Sequence, residues 1–222
     1  MISISDLFAS SDNSNSLGAK FRKKRLAIFE SLFFENYKSD RPIKILDVGG
    51  TDYFWNDSSL PKLPNVQITL LNLAELEVHS QGLIGKTGDG TNMKEFADNE
   101  FDLVFSNSVI EHLYTWENQV KMAQEIQRVG KKYYVQTPNK YFPIEAHYAL
   151  PFAQNMPKSL LFTILTKTRL SRLQKWDPAY AQQYLDEIRL LDEQEMKTLF
   201  PDCHIYREKW AGLTKSITAH NL

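Results

Sequence analysis

Short, almost uninterrupted apolar runs alternate along this chain with longer stretches of helical periodicity. Ile43-Lys44-Ile45-Leu46-Asp47-Val48 is β-branched and aliphatic, as suits a central parallel strand covered on both faces. It runs into Gly49, Gly50 and Thr51. The glycines permit a sharp turn at the strand's C-terminal end, where open α/β sheets bind ligands. Residues 67–72 predict a second strand, 101–106 a fourth and 132–138 a fifth. Helical spacing predicts a helix over residues 18–37, with Leu26, Ile28, Phe29, Leu32 and Phe33 as its apolar stripe. Thr115 is placed to cap a helix whose inner face is Val120, Met122, Ala123 and Ile126 and which Gly130 stops. Asp192 and Glu195 form a D-x-x-E capping box for a short helix ending before Pro201. Residues 204–210 and 213–220 predict a closing antiparallel hairpin, although Ala211-Gly212 is a poor two-residue turn signal.

With 222 residues, 42% hydrophobic and 24% charged, the chain can bury one sizeable core, and residues 1–222 read as a single domain. A formal net charge of −1 gives no general nucleic-acid footprint. Cys203 is the single cysteine, so neither an intrachain disulfide nor a multi-cysteine zinc site is available. The first sixteen residues are polar and serine-rich rather than signal-like. The apolar run at residues 160–165 is far short of the ~20 residues that span a bilayer. A cytoplasmic location is the default expectation. Residues 1–37 read as an arm followed by a helix whose start carries Lys20, Arg22, Lys23, Lys24 and Arg25. Positive charge there opposes the helix dipole, so the cluster is either a solvated face or a site for an anionic molecule. Residues 141–190 exceed a plain connection, and between Pro151 and Trp176 they hold basic but no acidic side chains. They read as a helical lid that binds the acceptor; packing as an extra helical pair, a homodimer contact or a touch on an anionic membrane surface are the alternatives.

The glycine turn is not a P-loop, because no Gly-Lys-Ser/Thr follows, and the G-x-G-x-x-G fingerprint is missing. It suits a nucleoside-bearing ligand without phosphates. Four phrases in order, Leu46-Asp47-Val48-Gly49-Gly50, Gly88-Asp89-Gly90, Phe101-Asp102-Leu103-Val104 and Ser106-Asn107-Ser108-Val109-Ile110-Glu111-His112-Leu113, resemble the class I S-adenosylmethionine-dependent methyltransferases, most closely methyltransferase type 11. The resemblance covers about residues 40–140 well and the C-terminal strands more loosely. It implies an α/β fold: a Rossmann-like, seven-stranded, mostly parallel sheet with helices on both faces, an antiparallel C-terminal strand and the lid insertion. It also implies S-adenosylmethionine as cofactor. Gly49, Gly50 and Thr51 would wrap its methionine part, with Asp47 organising the loop or meeting the amino group. Asn72, where the family usually has an acid, and Leu73 would face the ribose, Asp89 and Gly90 the adenine, and Ser106 and Asn107 the opening onto the donor. Thr51 and Tyr53 stand where later family glycines often occur.

The donor is a sulfonium with a good leaving group, so positioning and the handling of one proton are what the protein supplies. Glu111 has a local explanation, because Ser108-x-x-Glu111 matches a capping box. His112 reads either as a group that orients substrate or takes a proton, or as a packed supporting histidine. His147, following the fifth strand, is the stronger general base, with Tyr141 and Glu145 beside it and Arg22 as a substrate contact. Glu111 and His112 alone justify no metal, and none is expected. The expected function is methyl transfer to an oxygen or nitrogen of a small-molecule acceptor, of saccharide, lipid or secondary-metabolite type and anionic if the basic lid holds it. The alternative is an inactive donor-binding regulatory or partner protein; a nicotinamide oxidoreductase is disfavoured by the missing fingerprint.

Overall fold

The computed structural model describes residues 17–38 and 41–222, so the arm expected over residues 1–17 lies almost wholly outside the described residues. The helices are α1 (Leu17–Asn36), α2 (Asp52–Trp55), α3 (Trp116–Val129), α4 (Lys158–Lys167), α5 (Pro178–Glu187) and α6 (Glu193–Leu199). The strands are β1 (Ile43–Val48), β2 (Val66–Asn72), β3 (Leu83–Thr87), β4 (Leu103–Asn107), β5 (Tyr133–Pro138), β6 (Ile144–Glu145), β7 (Leu150–Pro151), β8 (His204–Trp210) and β9 (Leu213–His220). Seven of them form one sheet in the order β3-β2-β1-β4-β5-β9-β8. The first five are parallel, and β9 runs antiparallel between β5 and β8. This is the Rossmann-like architecture with an antiparallel C-terminal hairpin.

Alternation along β1 explains the layering. Ile43 and Ile45 join Phe29, Phe33, Trp55 and Phe105 under α1, whereas Leu46 and Val48 join Met122, Ile126 and Met196 under α3 and α6. Phe29 is fully buried, and its ring lies 4.6 Å from that of Phe105. Thr115 caps α3 by accepting from Asn118 N, and the Asp192–Glu195 box caps α6. The poor Ala211-Gly212 signal nevertheless makes the β8–β9 turn, with both residues at positive φ (48° and 82°).

Residues 141–190 differ from a purely helical lid. Strands β6 and β7 form a separate two-stranded sheet, followed by α4 and α5. Tyr148, Leu161, Leu165, Trp176 and Leu185 give this insertion a hydrophobic cluster of its own. It stands over the C-terminal ends of β4 and β5 and roofs the cavity described next.

Candidate active site

The turn after β1 is built around a buried carboxyl. Asp47 is 1% exposed and accepts a 2.7 Å hydrogen bond from Trp55 Nε1 on α2. Burial pushes its carboxyl up to about 7, against the pull of the indole N–H. A Cβ on Gly50 would stand 1.8 Å from Asp47 Oδ2, so only glycine lets the loop close on this side chain. Gly49 has φ +77°, and a Cβ there would meet Val109 at 2.5 Å. Asp47 therefore lies inside the loop and organises it. Thr51 is the exposed N-cap residue of α2 and makes no side-chain cap bond.

The neighbouring strand ends complete this side. Asn72 donates its amide to the carbonyl of Gly50, and the following Leu73 is 79% exposed. Asp89 Oδ1 accepts from both N and Oγ1 of Thr91, each at 2.8 Å, in an Asx turn. Gly90 lies against β1, where a Cβ would meet Val48 at 2.7 Å. Ser106 is fully buried and donates to Val48 O at 3.0 Å, which ties β4 to β1 rather than presenting a hydroxyl outward. Asn107 accepts from Arg25 Nε at 3.1 Å and faces the cavity.

That cavity, of about 760 Å³, lies between the ends of β4 and β5, the start of α1 and the insertion. His112 and His147 line it together. His147 sits in the turn between β6 and β7, and its Nδ1 is 2.6 Å from Glu145 Oε1. His112 Nδ1 is 2.8 Å from Glu187 Oε1, and the two Nε2 atoms are 3.2 Å apart. Burial works against charging His147, but the charge and hydrogen bond of Glu145, with the charge of Glu111, raise its pKa above the ordinary histidine value. Glu145 is 2% exposed and also accepts from Tyr148 N, so it positions His147 instead of meeting a ligand openly.

The expected Ser108–Glu111 capping box does not form. Ser108 adopts φ +58° and donates to Gln136 Oε1, and the 3-10 turn at Ile110–His112 starts from Val109 with no side-chain cap. Glu111 turns inward, where Oε2 accepts from Thr137 Oγ1 at 3.0 Å. Tyr141 does not join the histidines: it is 71% exposed, outside the cavity lining, and donates to Asp192 at 3.3 Å.

The basic residues divide in three. Arg25 is 9% exposed, and Arg25 Nη1 and Lys215 Nζ reach the same Glu208 oxygen at 3.1 and 3.4 Å. Burial beside Arg25 pulls the Lys215 ammonium down to about 8, despite Glu208. Arg22 stacks over Tyr53 at the cavity edge and donates to its hydroxyl. Among the basic residues of the insertion, Arg172 lines the cavity, and it donates to the carbonyls of Ala146 and His147. Lys215, Glu187, Glu208 and Trp176 were not expected at a site. Arg25 was one of five charges in the basic cluster, and its partner Glu208 lies 183 residues away in sequence.

Residues 65–133 match the family model described as a methyltransferase domain. Over that segment the chain carries a methyltransferase domain, of a family whose methyl donor is S-adenosylmethionine. A solved S-adenosylmethionine-dependent methyltransferase of Methanosarcina mazei has a TM-score of 0.52 at 14% identity, covering 85% of this chain and 94% of that one. A protein of Pyrococcus horikoshii has a TM-score of 0.55 at 15% identity, covering 94% and 92% of the two chains. At such identities these likenesses concern the fold. A comparison with the curated proteins finds no match.

The residues expected to hold the methyl donor lie at the C-terminal ends of β1, β2 and β3. There Gly49 and Gly50 are packed against the side chains of Val109 and Asp47, Leu73 offers an exposed apolar face, and Asp89 is an exposed carboxylate beside Gly90. Bound there, S-adenosylmethionine supplies an electrophilic methyl group. The chain's own part is to hold that group against the acceptor and to manage the acceptor's proton. No helix among the described residues of the methyltransferase is long and apolar enough to cross a membrane.

Proposed function

We propose that residues 1–222 act as one catalytic unit that methylates an oxygen or nitrogen of an anionic, ring-bearing small molecule, of the acidic saccharide or aromatic acid class. The observation that carries this reading is the Arg25–Lys215 pair sharing the single carboxylate of Glu208 at the cavity wall. Two cations on one anion leave positive charge for a ligand to neutralise, and a group held there lies in the same cavity as His112 and His147. Trp176, Tyr180 and Tyr184 line the same space, as suits a ring, and the buried Trp176 Nε1 has no partner among the described residues.

In this reading Gly49, Gly50, Thr51, Asn72, Leu73, Asp89 and Gly90 hold the donor. Asn107 stands between donor and acceptor, and Ser106 keeps β4 in place. His147 and His112 serve as the catalytic pair: an acceptor hydroxyl loses its proton to a facing Nε2 as its oxygen takes the methyl group. Arg22 closes the rim, Glu145 aims His147, and Tyr141 is left outside. A screen of the purified chain with labelled donor and a panel of anionic and neutral acceptors tests the reading. Methyl transfer confined to neutral acceptors, with Lys215→Met neutral in effect, would sink it.

A further inference from the structure

We infer that Glu111, His112 and His147 form a binding site for a divalent transition-metal cation in the wall of the acceptor cavity. One ligand atom from each lies within 4.8 Å of the other two. The argument begins with the imidazole nitrogens. A carboxylate only accepts hydrogen bonds, so Nδ1 of His147 toward Glu145 and Nδ1 of His112 toward Glu187 must each carry the hydrogen. In the neutral rings both Nε2 atoms are then lone pairs, and they face each other at 3.2 Å. Two lone pairs so placed repel unless a cation lies between them.

The spacing suits a metal ion. With metal–nitrogen bonds of 2.0–2.1 Å, two ligating nitrogens stand about 3.4 Å apart at a tetrahedral angle and about 2.9 Å apart at a right angle. The observed separation falls between these values. Glu111 supplies the independent indication. It is 0% exposed, Thr137 occupies Oε2, and Oε1 has no partner among the described residues. An orphaned carboxylate oxygen is costly to bury, and a cation beside the histidines offsets that cost. The ligands also have the support that metal sites require. Glu145 and Glu187 orient the two rings, and Thr137 orients Glu111. Two imidazoles and one carboxylate favour zinc, iron(II), cobalt or nickel over calcium.

Because both histidines line the cavity, the remaining coordination positions open toward the acceptor. Only this consequence rests on the proposed function. A coordinated acceptor hydroxyl loses its proton to solvent more readily. Its oxygen pair then bonds to the methyl carbon as the carbon–sulfur bond breaks onto sulfur. The imidazoles then act through the ion, and the direct base role belongs to the ion-free protein.

Tag-free, chelator-treated protein titrated with Co²⁺ and Zn²⁺ tests the site without reference to activity. One equivalent should bind per chain, with visible cobalt bands. Proton spectra of the unmodified cobalt form should show two shifted, exchangeable imidazole N–H signals. His147→Gln and Glu111→Gln should lower affinity at least ~100-fold while donor binding reports an intact fold, and Glu187→Gln should lower it ~10–100-fold. No binding of either ion, a cobalt form without the two shifted signals, or affinities unchanged in folded variants would overturn the site in favour of a proton shared by the histidines. Metal binding without methyl transfer to anionic acceptors would refute the proposed acceptor class and leave the metal site standing.

Discussion

Asn72 gives its side-chain amide to the backbone carbonyl of Gly50, so the residue at the end of β2 braces the glycine turn at the end of β1. A carboxylate at that position has no hydrogen to give. In the proposed donor site, asparagine thus couples the strand end on the ribose side to the loop on the methionine side. Asn72→Ala should cost about 1 kcal/mol in stability, the usual net value of such a bond, and raise the donor dissociation constant several-fold. Denaturant unfolding and donor calorimetry check both. Unchanged donor affinity would show that the brace has no bearing on the site.

Gly50→Ala should abolish donor binding and lower stability. The added carbon would stand 1.8 Å from Asp47 Oδ2, and that carboxyl is itself fixed by Trp55. Relief therefore requires the loop to move. Calorimetry with the demethylated donor product reads the loss, and normal binding would mean that the loop holds no donor.

Asp47 predicts a pH signature in stability. Its folded pKa of about 7 lies above the ordinary value of 3.8, so between these limits the folded chain keeps a proton that the unfolded chain has lost. The contribution to stability is full below the lower value. It falls by about 1.4 kcal/mol per pH unit up to the higher one, and is flat beyond. Asp47→Asn keeps an acceptor for Trp55 and removes this slope. Urea unfolding at pH 5 and pH 8 should therefore differ less in the variant than in the unmodified chain. An equal difference in both would reject the assignment.

Lys215→Met should raise KM for an anionic acceptor at least tenfold and leave donor affinity unchanged. The lysine lines the cavity with Arg25, both held by the buried Glu208, whereas the glycines and Asp89 of the proposed donor side stand outside that lining. Steady-state kinetics with each substrate varied in turn separate the two effects. An equal loss in donor affinity would place the ammonium on the donor side.

Most strands of the main sheet, the caps and the glycine turn were readable because each depends on a few neighbouring residues. β1 shows its burial as an apolar run, and Thr115 and Asp192 cap helices within three residues of themselves. β3 escaped notice because only Leu83 of its five residues is buried, as befits an edge. The Ser108–Glu111 spacing misled for the opposite reason: it satisfies a local rule, yet β5 offers Gln136 and Thr137 as partners to both side chains. The paired histidines lie 35 positions apart, and Arg25 meets Glu208 across 183. Such contacts arise from the crossing order of the strands and leave no periodic trace.

The separate hydrophobic cluster of the insertion has a consequence for how this enzyme type diversifies. Half of the proposed acceptor wall, including His147, Arg172, Trp176 and Tyr184, belongs to a segment whose packing is largely internal. The glycine turn after β1 draws its support from Asp47, Trp55, Val109 and Asn72 instead. In the proposed reading, a lineage can change this half of the acceptor wall while the turn that grips the methyl donor keeps supports of its own.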